Sequence, residues 1–116
     1  SNLRREELGS TLRAGGREVF EVVVQETRPL KGLPPGVQGH LEGIDLAVAY
    51  SPSALGFVES LDAQPREMVS RIPFAVMGPT TGDRARELGL KVEIEPEDPH
   101  EDRLIELVLS WAAAQN

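Results

Sequence analysis

Apolar and polar positions along this chain alternate between two textures. Short runs rich in Val, Ile and Phe are Val19-Phe20-Glu21-Val22-Val23-Val24, Ile44-Asp45-Leu46-Ala47-Val48-Ala49-Tyr50, Phe74-Ala75-Val76-Met77 and Lys91-Val92-Glu93-Ile94. Their length and β-branched content predict strands over 19–24, 44–50, 73–77 and 91–94. The second and third are continuously apolar over several residues, as strands covered on both faces tend to be. The first and last alternate, which predicts edge or half-exposed positions.

Between the runs, apolar residues recur at helical spacing. Leu3, Leu8 and Leu12 mark a first helix that ends at Gly15-Gly16. Ala54, Phe57, Val58 and Leu61 fall at i, i+3, i+4 and i+7 and predict one face of a second helix. Ala85 and Leu88 mark a third, stopped by Gly89, and Leu104, Leu107, Val108 and Trp111 a fourth, with Trp111 expected in the core. Strand and helix in regular alternation predict βαβ units and a parallel sheet, an α/β fold. Residues 28–43 break the rhythm with Pro29, Pro34, Pro35 and four glycines. They read as a connector between two structural units, so residues 1–27 are expected to pack apart from residues 44–116.

Composition narrows the chemistry. At 116 residues the chain is long enough for one small domain. It has no cysteine, which removes disulfides, thiolate nucleophiles and cysteine-based metal sites, and leans the reading toward the cytoplasm. A net charge of −7 repels phosphate backbones and argues against nucleic acid as a partner. Much of the excess lies in residues 93–102, where six of ten are acidic. That stretch reads either as a solvated loop or as a charge that keeps anionic ligands off one edge. No apolar run approaches the roughly 20 residues needed to span a bilayer, so no membrane association is expected. The opening Ser1-Asn2-Leu3-Arg4-Arg5-Glu6-Glu7 has no apolar stretch behind its basic residues and does not read as a signal peptide.

Two strand-to-helix junctions could carry chemistry. In Tyr50-Ser51-Pro52-Ser53-Ala54, Ser51 fits an N-cap and Pro52 the first helical position. In Met77-Gly78-Pro79-Thr80-Thr81-Gly82-Asp83, Thr80 and Asp83 have the spacing of a capping-box variant. Simple capping would account for both. Yet open α/β sheets bind ligands at the carboxyl edge of their strands, and helix N-termini there suit carboxylates or phosphates. Successive junctions of this kind would lie side by side, so Ser51, Ser53, Thr80 and Thr81 are expected together at one edge. No nucleophile–base pair is visible. His40 and His100 lack a second ligand at metal spacing, so no metal is expected.

Taken together, the ordered motifs resemble the uroporphyrinogen-III synthase family. Asn2-Leu3-Arg4-Arg5-Glu6 resembles its helix opening, and Glu21-Val22-Val23-Val24-Gln25-Glu26-Thr27 its strand before an interdomain connector. Tyr50-Ser51-Pro52-Ser53-Ala54 resembles its Ser-Pro-Ser turn, and Gly78-Pro79-Thr80-Thr81 its Gly-Pro-Thr-Thr turn. The resemblance is to the C-terminal half of the family fold and implies two flavodoxin-like domains with the active site in the cleft between them. Residues 1–27 would then be the last helix and strand of one domain, 28–43 the connector, and 44–116 the main part of the other, an incomplete flavodoxin-like parallel sheet. The implied reaction closes the linear tetrapyrrole hydroxymethylbilane to uroporphyrinogen III, inverting the last pyrrole ring and releasing water, a lyase step of heme biosynthesis that needs no cofactor. The substrate carries eight carboxylates. Thr27, Ser51, Ser53, Ala54, Gly78, Thr80 and Thr81 are its implied binding residues, and catalysis would rest on folding it into a ring-closing geometry.

Two positions depart from the family pattern. Gln25 stands where the family has the tyrosine best suited to help the hydroxyl leave, and an amide is not an acid near neutral pH. His100 stands where the family usually has threonine. Without the family's N-terminal half, the sheet of residues 44–116 is expected to lack a central strand, and the chain alone to be inactive, needing that half or a second copy as partner. The alternatives are a non-enzymatic assembly module derived from the same fold, and a small carboxylate- or phosphate-binding α/β domain.

Overall fold

Three short runs pair into one parallel sheet in the order β1 (Ala47–Ala49), β2 (Pro73–Val76), β3 (Lys91–Ile94). The computed structural model describes residues 2–17, 19, 32, 33, 37 and 39–115; the predicted strand at 19–24 and most of residues 28–38 lie outside these. Helices α1 (Asn2–Ala14), α2 (Ala63–Ser70), α3 (Pro79–Glu87) and α4 (Glu101–Ala114) cover the sheet, with 3₁₀ segments at Leu41–Gly43 and Pro52–Ser60. The result is an α/β fold with helices on both faces of a parallel sheet, consistent with an incomplete flavodoxin-like unit.

Side-chain alternation along the strands divides the core in two. Ala47 and Ala49 of β1 and Phe74 and Val76 of β2 face one layer, where Leu55, Val58, Val69, Ala85 and Leu88 pack. Leu46, Val48 and Tyr50 around β1, with Ala75 and Met77, face the other, built on Leu104, Ile105 and Val108 of α4. β3 changes face partway. Phe74 pairs with Val92 and Ala75 with Ile94, so Glu93 is an extra residue, a bulge. Val92 therefore packs in the first layer and Ile94 in the second, the re-aiming that a bulge produces.

Helix ends follow their sequence signals. Gly89 has φ 78, a left-handed conformation that costs a residue with a Cβ. Its N–H donates to Arg86 O at 3.0 Å and that of Leu90 to Ala85 O at 2.9 Å, the two bonds of a Schellman motif. The same pattern closes α1 at Gly16, where the Arg17 N–H donates to Leu12 O at 3.1 Å.

The structure corrects several expectations. The segment predicted as a second α-helix is a nine-residue 3₁₀ helix that buries Leu55 and Val58, one 3₁₀ turn apart. It is followed by α2, which the apolar spacing did not reveal: α2 buries only Val69, so its periodicity is faint. On α4 the buried stripe is Leu104, Ile105, Val108 and Ala112, leaving Leu107 and Trp111 half-buried at its flank. α1 does not pack apart from residues 44–116: Leu8 is buried beside Leu104 and Val108, and α1 lies against α4. Leu33 and Val37, from the proline- and glycine-rich stretch, also pack against the first layer. The three described strands leave no gap between them. Among the described residues the open backbone rows are at the outer edges of β1 and β3.

Candidate functional site

The carboxyl ends of β1 and β2 leave the sheet together. Ala49 is paired with Val76, and the Met77 N–H still donates to Ala49 O at 3.1 Å. Each chain then turns into a helix within two residues, so Ser51 and Gly78 open neighbouring helices on one edge.

At the first turn, Ser51 is the N-cap of the 3₁₀ helix, in extended backbone with Pro52 behind it. Its hydroxyl makes no capping hydrogen bond; it lies 3.1 Å from Ser53 Oγ instead. The Ala54 N–H donates to Ser51 O at 3.2 Å, which closes the turn. Ser51 and Ala54 are half-buried and Ser53 is exposed, so the two hydroxyls sit at the surface as a pair.

At the second turn, the N-cap is Gly78 rather than Thr80. Pro79 takes the first helical position, where a missing N–H costs nothing. Thr80 is exposed, whereas Thr81 is 3% exposed and turns inward. Asp83, expected to reach back as a capping partner, instead accepts from Arg86 Nη1 at 3.3 Å. The first turn of a helix leaves backbone N–H groups with no intrahelical acceptor, and here they accompany the exposed Thr80 hydroxyl. Capping therefore does not use the hydroxyls that sequence reasoning assigned to it. The edge brings Ser51, Ser53, Ala54, Gly78, Thr80 and Thr81 together, with Thr81 offering backbone only. Gln25 and Thr27 lie outside the described residues.

A third helix N-terminus lies at the same edge. His100 is the N-cap of α4, exposed, with Nε2 3.5 Å from Asp98 Oδ1. The loop before it and the start of α4 line an open groove of about 600 Å³ with Glu95, Glu97, Asp98, Asp102 and Glu106 among its walls. Five carboxylates against Arg103 and His100 make that groove unfit for an anionic ligand. Residues 50–58 and 77–82 contain no acidic residue. Among the described residues no three His, Cys, Asp or Glu side chains gather as a metal site, and no helix is long and apolar enough to cross a membrane.

One ion pair ties the two turns' helices together. Arg84 of α3 hydrogen-bonds Glu59 at the end of the 3₁₀ helix and reaches Glu87 at 3.3 Å. Donating a hydrogen bond to the Glu59 carboxylate raises the already high pKa of the guanidinium, so it stays charged. Gly78, as a glycine, lets the backbone approach a neighbour closely, but the sequence named neither that neighbour nor a second such contact at Gly82. Pro99 packs on Gly78, and the Glu95 carboxylate lies over Gly82 while accepting from Arg86 Nη2 at 2.9 Å. The signal available was the second glycine of Gly78-Pro79-Thr80-Thr81-Gly82, which a simple turn does not require.

No curated protein and no solved structure matches the chain. The family model described as uroporphyrinogen-III synthase HemD matches residues 1–106, which include both turns and all three strands. The chain belongs to the uroporphyrinogen-III synthase family.

Proposed function

We propose that the Ser51 and Thr80 turns hold carboxylates of a linear tetrapyrrole, and that the chain takes part in closing hydroxymethylbilane to uroporphyrinogen III with ring inversion and loss of water. The observation that carries this reading is the pair of adjacent turns whose hydroxyls at Ser51, Ser53 and Thr80 are at the surface and not spent on caps. Helix N-termini with neighbouring hydroxyls suit carboxylates through backbone donors and the helix dipole. The two turns, residues 51–54 and 78–82, contain no acidic or basic side chain, so their contribution is orientation: the carboxylates are fixed so that the two ends of the chain meet.

The two turns form an open shelf. A second wall is needed to exclude water and to fold a flexible substrate. In this reading it comes from a partner element, the other half of the family fold or a second copy. Activity of the 116-residue chain alone is accordingly not expected. The test is consumption of hydroxymethylbilane by the chain with and without a separately produced N-terminal half of a family member, scoring the product isomer, because closure without ring inversion gives a different one. Inverted product only in the combined sample supports the reading. Its absence there, or its equal formation by a Ser51→Ala/Thr80→Val variant, overturns it. Gln25, in place of a phenol, favours a second reading in which the chain is a non-enzymatic assembly module that keeps the fold; binding of the N-terminal half without any turnover is its expected signature.

A further inference from the structure

The second turn is held from outside by the loop that follows β3. The bulge at Glu93 sends Ile94 into the α4 layer and therefore sends Glu95 to the opposite face, toward α3. There the carboxylate lies in the space that a side chain at position 82 would fill: a Cβ on Gly82 would stand 2.8 Å from Glu95 Cδ. Arg86, one helical turn on from Gly82, holds the carboxylate at 2.9 Å. Four residues later the same loop makes a second contact of this kind. A Cβ on Gly78 would stand 2.7 Å from Pro99 Cβ and 3.3 Å from its Cα. The two glycines that flank Thr80 and Thr81 are thus the two seats of one loop.

We propose that residues 95–99 are a positioning segment for the candidate ligand turn: Pro99 seated on Gly78 and Glu95 seated on Gly82 and held by Arg86 fix the backbone donors of Thr80 and Thr81. The proposal deepens the reading above and rests on it for its ligand. The two seats differ in how they respond to a Cβ. At Gly82 the obstacle is the end of a flexible side chain, which swings away and gives up its hold on Arg86. At Gly78 the obstacle is a ring carbon and the backbone of Pro99, so the loop itself shifts. The loop also carries Glu97 and Asp98, so its seating places negative charge on the β3 side of Thr80.

The proposal predicts a pattern of rescue. Gly78→Ala in the full chain shifts the Thr80 and Thr81 amide resonances and speeds their hydrogen exchange roughly tenfold, a local opening. Adding Pro99→Gly, which removes the Cβ in the way, returns both to wild-type values; adding Pro99→Ala, which keeps that Cβ, does not. Gly82→Ala, which folds because only a side-chain end must move, speeds Thr81 exchange to the same extent as Glu95→Ala, and the two together add nothing further. Binding of the octacarboxylate uroporphyrin III falls with amide mobility across the series. Unchanged Thr80 and Thr81 amides in both Gly82→Ala and Glu95→Ala overturn the proposal, as does equal rescue by Pro99→Ala and Pro99→Gly. If the wild-type chain fails to bind uroporphyrin III while the amides follow the pattern, the ligand assignment falls and the positioning role stands.

Discussion

Leu8→Ala tests whether α1 belongs to the core of this unit. Leu8 is 5% exposed and joins Leu104, Ile105, Val108, Ala75 and Ile94 in the second layer. It is the principal anchor of α1 there, because Leu12 is only half-buried and the rest of the described face of α1 is polar or small. Burying a leucine is worth about 1.5–3 kcal/mol by transfer alone, and truncation to alanine in a rigid core costs about 2–5 kcal/mol. α1 can settle onto α4 after truncation, so the low end applies, about 2 kcal/mol. With a urea slope of roughly 1–3 kcal/mol/M, the midpoint should fall by about 1 M. Trp111 is the one tryptophan of the chain and sits half-buried in the same layer, so its fluorescence reports the transition directly. Leu104→Ala, at a fully buried position of α4, is the control and should cost roughly 4 kcal/mol. If Leu8→Ala changes stability by less than about 0.5 kcal/mol, as an ordinary surface substitution would, while Leu104→Ala behaves as stated, then α1 does not pack on α4 in solution and the inference from burial is wrong.

Three further outcomes follow from the fold. Gly89→Ala, at φ 78, should cost about 1–2 kcal/mol from left-handed strain, read as a lower urea midpoint with an unchanged slope. Phe74→Ala, at a central-strand position 4% exposed, should cost about 3–5 kcal/mol, enough against a typical stability of 5–15 kcal/mol to populate unfolded chains near 37 °C in far-ultraviolet circular dichroism. The outer edge of β1, unpaired among the described residues, should make association rise with protein concentration in sedimentation velocity; a monomer at all concentrations with a cooperative, concentration-independent melt would refute this.

β1 and β2 were legible because they are covered on both faces, as the largely apolar runs at 44–50 and 73–77 that contain them show, and β3 (Lys91–Ile94) was legible from its alternation, with Lys91 and Glu93 exposed. The first of these runs is longer than the three-residue strand because pairing with β2 begins only at Ala47. Helix periodicity succeeded where one face is heavily apolar, as on α4, and failed where it is not. α2 buries a single residue, too little to mark a face, and the 3₁₀ character of Pro52–Ser60 depends on backbone pitch, which apolar spacing of three and four does not separate from an α-helix. The packing of α1 was misread because glycine and proline density in 28–43 suggested separation, although Leu33, Val37 and Leu41 from that region reach the core. At the candidate site, local sequence located both turns. It did not reveal which threonine faces inward, nor that Gly78 and Gly82 seat a loop, the latter because it depends on residues 95–99 returning across the edge.

The placement of acidic residues bears on where along this edge a polycarboxylate can sit. Neighbouring strands are about 4.8 Å apart, so the Thr80 turn lies roughly one strand spacing from the loop after β3, and the Ser51 turn about two, near 10 Å. The Debye length at physiological ionic strength is about 8 Å. Repulsion from Glu97 and Asp98 therefore reaches the Thr80 turn with little screening and the Ser51 turn with much more. Backbone donors at Thr80 must work against that field, whereas the Ser51–Ser53 hydroxyl pair works nearly outside it. A ligand with several carboxylates is thereby drawn toward the β1 side, next to the open β1 edge where a second wall would stand. Added salt should weaken its attraction to the helix N-termini and also relieve the acidic loop's repulsion. The Ser51 side, governed by attraction alone, should then lose affinity with salt more steeply than the Thr80 side. Comparing the salt dependence of uroporphyrin III binding in Ser51→Ala and Thr80→Val variants separates the two: the Ser51 variant should show the flatter dependence, and equal slopes would mean that the acidic loop does not orient the ligand.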